Sequence, residues 1–167
     1  EDLDTLSTET TSAFRDRLTL TSERIAQMSE SLRQVAALAD PVGEEVESRQ
    51  LQNGMRVRKL RSPLGVILMI FESRPNVAVE AFSLAFKAGN VIILRGGKES
   101  MKTTSVIYEI IGEALNRHGL SRDCLWGITS PDRSLSHALL KQRKMIDVVV
   151  PRGGAALIEF VSENSTI

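Results

Sequence analysis

Residues 63–99 constrain the fold most, because their hydrophobic pattern changes type twice. Residues 64–71 are a continuous apolar run rich in branched side chains, which is typical of a strand buried on both faces of a parallel sheet. Apolar residues then recur at helical spacing, after Pro75 and a capping Asn76, until Gly89 supplies the left-handed residue that helix ends favour. Residues 91–94 form a second apolar run. The stretch therefore predicts a strand, a helix and a second, parallel strand.

The rest of the carboxyl-terminal part repeats this alternation. Apolar stripes predict a helix over residues 100–118 and a short helix over residues 135–140. Residues 125–129 and 147–150 predict two further strands, and a last helix follows residue 154. Strands that alternate with helices predict the α/β class, with a doubly wound, Rossmann-like parallel sheet and helices on both of its faces.

The amino-terminal part has a different pattern. Residues 4–18 have a weak helical pattern, and Thr21 is a candidate cap for a helix that Asp40 and Pro41 end. A β-hairpin is predicted over residues 45–60, because two candidate strands flank Asn53-Gly54, the dipeptide favoured in type I′ turns.

Charge and composition exclude several classes of protein. The 21 Lys and Arg residues balance the 21 Asp and Glu residues, so no basic field predicts binding to nucleic acid or to a membrane. No apolar run approaches the roughly 20 residues of a membrane helix, and the first residues are acidic where a signal peptide is basic. The single cysteine, Cys124, favours the reducing cytoplasm. His118 and His137 lack metal-ligand spacing, so no metal site is predicted.

Two Arg-Gly-Gly segments, at residues 95–97 and 152–154, each follow a predicted strand and precede a helix. Backbone amides and the helix dipole favour a phosphate group at such a place. Neither segment is a dinucleotide fingerprint or a P-loop, since both patterns are absent from the chain. The alternative is that these glycines only permit tight turns.

Four segments carry a resemblance to a known family: PLGV, FESRPNV, AGNVIILRGGKES and DVVVPRGGAALIEFV. From about Leu18 to Ile167 the chain resembles the bacterial γ-glutamyl phosphate reductases, also called glutamate-5-semialdehyde dehydrogenases, of the aldehyde dehydrogenase superfamily. The resemblance implies NADPH-dependent reduction of L-glutamyl 5-phosphate to the semialdehyde with release of phosphate, the second step of proline biosynthesis.

The resemblance also implies which residues contact the cofactor. They are the two glycine-containing turns, Arg95, Gly96, Gly97, Lys98 and Pro151, Arg152, Gly153, Gly154. In the superfamily an acidic residue that holds the ribose hydroxyls stands where this chain has Lys98. An ammonium group attracts a 2′-phosphate, which favours NADPH over NADH, although the neighbouring Glu99 would partly offset the effect.

A second set of residues matches the superfamily's loop at the catalytic centre: Glu72, Ser73, Arg74 and Asn76. The resemblance places Ser73 at the position of the oxyanion donor. Arg74 could bind the phosphate or the carboxylate of the substrate, because a guanidinium binds either group with two hydrogen bonds. The alternative is that Asn76 is only a helix cap and Arg74 only a surface charge.

The resemblance implies that residues 1–167 are the cofactor-binding domain of a longer protein, since both ends of the sequence look cut. The nucleophilic cysteine and the catalytic domain would lie beyond Ile167, Cys124 would be a filler, and the fragment alone would be inactive. The hairpin at 45–60 would belong to an oligomerisation sheet of a homo-oligomer, and glutamate 5-kinase is a candidate partner. The alternatives are a non-catalytic NADP(H)-binding module that acts through a partner, and a structural domain that assembles through the hairpin.

Overall fold

The computed structural model describes residues 1–7 and 10–167. The α-helices in these ranges are α1 (Ser12–Leu18), α2 (Ser22–Ala37), α3 (Pro75–Lys87), α4 (Met101–Arg117), α5 (Arg133–Leu139) and α6 (Ala155–Asn164). The strands are β1 (Glu45–Gln50), β2 (Arg56–Leu60), β3 (Val66–Phe71), β4 (Val91–Arg95), β5 (Leu125–Gly127) and β6 (Val148–Arg152). Short 3₁₀ turns span Leu3–Thr5, Lys98–Ser100 and Arg122–Cys124.

Four strands form one parallel sheet in the order β5, β4, β3, β6. The central position of β3 explains its continuous apolar sequence, because both of its edges and both of its faces are covered. Pro151 lies in β6, which is an edge strand of this sheet. Proline has no N–H to donate, and an edge strand tolerates this because one of its sides has no neighbour among the described strands. The predicted parallel α/β sheet is confirmed.

Each face of the sheet has its own hydrophobic core. Ile67 and Phe71 of β3 point to one face and pack with buried residues of α3 and α4. Leu68 and Ile70 point to the other face and pack in a second core with Val161 of α6. Side chains of a strand alternate between faces, so one apolar strand supplies both cores. The predicted helices on both faces are therefore also confirmed.

The start of α3 differs from the prediction. Its N-cap is Arg74, and Pro75 is the first helical residue, so Asn76 lies inside the helix and is not the cap. The fixed φ of proline is already helical and its missing N–H would have no partner in the first turn, so α3 begins there. The predicted end is confirmed, because Gly89 has φ 73° and the Asn90 amide donates to the carbonyl of Ala85.

Several predicted boundaries move by a few residues. β5 ends at Gly127, two residues before the predicted end, and α5 begins earlier than predicted because Asp132 caps it. β4 and β6 both continue further than predicted, so Arg95, Pro151 and Arg152 belong to strands. The glycine turns that follow these strands are correspondingly shorter.

The hairpin of β1 and β2 is confirmed, but its predicted turn type is wrong. Among the described residues only glycines have positive φ, so Asn53 is excluded from the left-handed conformation that type I′ requires. Instead the Gly54 amide donates to the carbonyl of Leu51, and Gly54 alone is left-handed, at φ 85°. Every residue of both strands is exposed.

The amino-terminal helices are only partly as predicted. The helical pattern at residues 4–18 includes Thr8 and Glu9, which lie outside the described residues, and α1 covers only its second half. Thr21 caps α2 as predicted, by accepting a hydrogen bond from the Arg24 amide. Asp2 accepts from the backbone amide of Thr103 at 2.7 Å, so a carboxylate from the beginning of the chain caps α4.

Within residues 1–7 and 10–167, no helix combines the length and the hydrophobicity that crossing a bilayer requires.

Candidate functional site

The loop after β3 and the two glycine turns leave the same edge of the sheet. Ile70 pairs with Arg95 on one side of β3, and Phe71 pairs with Arg152 on the other side. Because the strands are parallel, the loops that follow them lie side by side at the carboxyl ends, where open α/β sheets bind ligands. The structure therefore brings the predicted loop at 72–76 together with both predicted turns.

Glu72 is bonded to the start of α6. Its Oε1 atom accepts a hydrogen bond from the backbone nitrogen of Gly154, the N-cap of this helix, at 2.6 Å. A Cβ atom added to Gly153 would lie 2.7 Å from the same oxygen. Free amides and the helix dipole stabilise a carboxylate at this place as they would a phosphate. The predicted phosphate position thus has an anionic group of the protein itself beside it.

Ser73 is buried against the turn after β4. Its Oγ atom donates to Oε2 of Glu99 at 2.6 Å. A Cβ atom added to Gly97 would lie 2.1 Å from that Oγ, so the close approach of Ser73 requires glycine there. The role of Ser73 as an oxyanion donor stays a prediction, and an oxyanion would have to compete with Glu99 for this hydroxyl.

Arg152 and Asn76 share a partner that the sequence analysis missed. Arg152 donates to Oε2 of Glu80 at 3.0 Å, and Nδ2 of Asn76 donates to Oε1 at 2.9 Å. The four-residue spacing of Asn76 and Glu80 on one helix face was the available signal. Arg74 is exposed and makes no ion pair with any described residue. Of the two arginines, only Arg74 keeps its full capacity to bind an anion.

Arg95 lies inside the fold and not on the surface of the turn. It is 8% exposed, and it donates to the backbone carbonyls of Gly96 at 2.9 Å and Asp132 at 3.4 Å. Its Nε atom has no partner in the described part of the chain. Burial lowers the pKa of Arg95, and the positive charge of Arg133 acts in the same direction. Burial also raises the pKa of the interacting Tyr108 to about 12, so that hydroxyl stays protonated at neutral pH.

Lys98 has the opposite surroundings. It is exposed in the 3₁₀ turn directly before α4, and no described residue forms an ion pair with it. The carboxylate of Glu99, which was expected to offset its charge, is turned towards Ser73. The ammonium group of Lys98 is therefore available to an anion at the carboxyl edge of β4.

A cleft of about 340 Å³ opens between the loop after β3 and the start of α6. Its lining residues are Glu72, Arg74, Val77, Arg152, Gly153 and Gly154. Arg74, Arg152 and the first residues of α6 line this cleft together with the carboxylate of Glu72, so the cleft has donor groups of the kind that bind a phosphate. A second cleft, of about 440 Å³, adjoins it at Arg74 and lies between α2 and α3.

Cys124 and the two histidines take no part in this site. Cys124 directly precedes β5 and so lies at the amino end of the strands, at the opposite edge of the sheet. His137 packs edge-on against Phe160 on the face of the sheet that α6 covers, and His118 caps the end of α4. No group of three His, Cys, Asp or Glu side chains among the described residues could hold a metal ion.

Residues 1–166 match the model of the aldehyde dehydrogenase family. The chain belongs to this family. Its parallel sheet with flanking helices and separate hairpin is the aldehyde dehydrogenase fold, as predicted.

Individual relatives confirm the resemblance seen in the motifs. The chain is 48% identical over 155 residues to a γ-glutamyl phosphate reductase of Koribacter versatilis, covering 93% of this chain and 37% of the relative. The structure of the reductase from Thermotoga maritima superposes with a TM-score of 0.95 at 38% identity, covering 99% of this chain and 40% of that one. The structure of the reductase from Saccharomyces cerevisiae superposes with a TM-score of 0.90 at 32% identity, covering 99% of this chain and 42% of that one. The chain thus spans little more than a third of the length of such curated relatives.

Proposed function

We propose that this chain is the cofactor-binding part of a γ-glutamyl phosphate reductase, which uses NADPH to reduce L-glutamyl 5-phosphate to L-glutamate 5-semialdehyde with release of phosphate. The observation that carries the proposal is the meeting of three loops at the carboxyl edge of one parallel sheet, beside the start of α6. The similarity to reductases of this name supports the choice of substrate.

The residues at this edge fit a dinucleotide. Gly153 and Gly154 carry no side chain that would keep a ligand from the first amides of α6, and the side chain of Arg74 forms no ion pair with a described residue. Lys98, exposed and unpaired within the described residues, is the group that would bind a 2′-phosphate. NADPH, when bound, supplies the hydride. Arg95 is buried, so its contribution would be to hold the loop at Asp132 in place.

The chemistry would be divided between this chain and a segment beyond Ile167. There a cysteine thiolate would bond to the acyl carbon, and phosphate would leave with the electrons of the broken C–O bond. Hydride would then replace the sulfur at that carbon. Residues 72–76 would orient the acyl phosphate, with Arg74 bound to its phosphate or carboxylate and Ser73 near the carbonyl oxygen.

Replacing Lys98 tests the assignment of the cofactor. Lys98→Glu should weaken NADPH binding much more than NADH binding, by about 1.5–3 kcal/mol, because a charge-assisted bond to the 2′-phosphate is lost and a repulsion replaces it. Fluorescence titration of both cofactors measures the difference. Lys141→Glu, the same charge change at an exposed residue after α5, is the control. Equal losses for the two cofactors would reject the assignment.

We also propose that the chain self-associates through the hairpin. Its strands are exposed on both faces, with Val46 51% exposed, and an isolated hairpin of two strands is marginal in water.

Light scattering with size exclusion should show an oligomer that Val46→Asp dissociates. The matched change Val106→Asp, on the exposed side of α4, should leave the mass unchanged. A wild-type monomer at high concentration with slow hydrogen exchange in the hairpin would contradict the proposal.

A further inference from the structure

The carboxylate of Glu72 occupies the position that the proposed function gives to a phosphate. It accepts the amide hydrogen of Gly154 at 2.6 Å, at the N-cap of α6. A Cβ atom on Gly153 would be 2.7 Å from this oxygen, and one on Gly154 would be 3.3 Å from it. Both glycines are therefore in close contact with the protein's own anion.

We propose that Glu72 is an internal competitor of the ligand's phosphate group for the amino end of α6. The inference rests on the proposed function, since it assumes a phosphate-bearing ligand in this cleft. An anion and the Glu72 carboxylate cannot accept the same amide hydrogen, and two negative charges at one helix end repel each other. A ligand that takes the Gly154 amide must displace Glu72.

The displaced carboxylate can leave the cleft without disturbing the core. The side chain of Glu72 is exposed, so a change of its rotamer towards solvent displaces no buried group. Arg74, which lines the same cleft, keeps its capacity to bind the substrate in this arrangement. Glu72 thus has two positions, one at α6 without ligand and one in solvent with it.

The ligand can bind only those molecules in which Glu72 has left the amino end of α6. The apparent affinity is therefore the intrinsic affinity multiplied by the fraction of such molecules. Glu72→Gln removes the charge and keeps the shape, so it should tighten NADPH binding roughly 3- to 10-fold. The same change should lower the melting temperature by roughly 2–4 °C, because the helix loses a charged cap. A purely structural role for Glu72 would lower the melting temperature without tightening the binding.

The experiment is a calorimetric titration of the chain with NADPH, comparing wild type, Glu72→Gln and Glu163→Gln. Glu163 is exposed in the last turn of α6 and undergoes the same charge change away from the cleft, so this control should bind as the wild type does. If the wild type binds NADPH, unchanged or weaker binding in Glu72→Gln overturns the proposal.

Inorganic pyrophosphate is a second probe, which separates this inference from the choice of cofactor. The Gly154 amide signal in an NMR spectrum should respond to pyrophosphate at several-fold lower concentration in Glu72→Gln than in the wild type. If none of the three proteins binds NADPH but the Gly154 signal of Glu72→Gln responds at the lower pyrophosphate concentration, the proposed cofactor is wrong and the competition by Glu72 stands. If pyrophosphate leaves the Gly154 signal unchanged in both proteins, the inference is wrong.

Discussion

Leu68→Ala should lower the free energy of unfolding by about 2–5 kcal/mol. Leu68 lies in the middle of the central strand, is 0% exposed and packs in the second core with Ile70, Leu140 and Val161. Alanine removes the apolar side chain and leaves a cavity, which the strands on both sides of β3 keep from collapsing. Urea unfolding followed by circular dichroism measures the loss. The slope of the unfolding free energy against urea concentration stays unchanged if the substitution alters only stability.

Leu64→Ala is the matched control. Leu64 lies two residues before β3 and is 61% exposed, so the same substitution removes few contacts there and should cost less than about 0.5 kcal/mol. Similar losses at the two positions would mean that the sheet has no such core around its central strand.

The sheet could be predicted because its pattern is local. Residues 64–71 and 91–94 are short continuous runs rich in branched apolar residues, whereas the stretch between them has apolar residues at helical spacing, so run length and spacing together separate the strands from the helix. The order of the strands needed the structure, since β6 lies beside β3 although 76 residues lie between Phe71 and Val148 in the sequence.

The errors occurred where two local signals competed. Asn76 and Pro75 can both mark a helix start, and the fixed φ of proline decided it, which placed the cap at Arg74. Asn53-Gly54 suits a type I′ turn, but a turn with only Gly54 left-handed also closes a hairpin and spares Asn53 a strained conformation.

The sequence was sufficient to predict which loops form the site, but not which contacts join them. Parallel strands bring their carboxyl ends together, so the grouping of loop 72–76 with both glycine turns follows from the fold class. The bonds from Glu72 to Gly154 and from Ser73 to Glu99 join different loops, and their distances depend on strand order and register. The burial of Arg95 has the same origin, because β4 continues one residue further than its apolar run.

The position of Cys124 leads to the last prediction. Cys124 stands directly before β5, whereas the loops of the site follow β3, β4 and β6. The length of a three-residue strand, roughly 10 Å at about 3.3 Å per residue, and the width of β4 therefore separate Cys124 from residues 72–76. A thiol there cannot reach an acyl group held at residues 72–76. Residues 1–167 should therefore give no detectable NADPH consumption with L-glutamyl 5-phosphate, because a thioester cannot form without a nucleophile at the site.

The longer protein that we propose supplies the complementary measurement. Its Cys124→Ser variant should keep most of the activity, whereas serine in place of the cysteine proposed beyond Ile167 should reduce turnover by several orders of magnitude. Melting curves of both variants control for misfolding. NADPH-dependent reduction of L-glutamyl 5-phosphate by the longer protein would also exclude the alternative of a non-catalytic NADP(H)-binding module. Turnover by residues 1–167 alone, or a comparable loss in a folded Cys124→Ser variant, would place the nucleophile in this chain and contradict the division of chemistry.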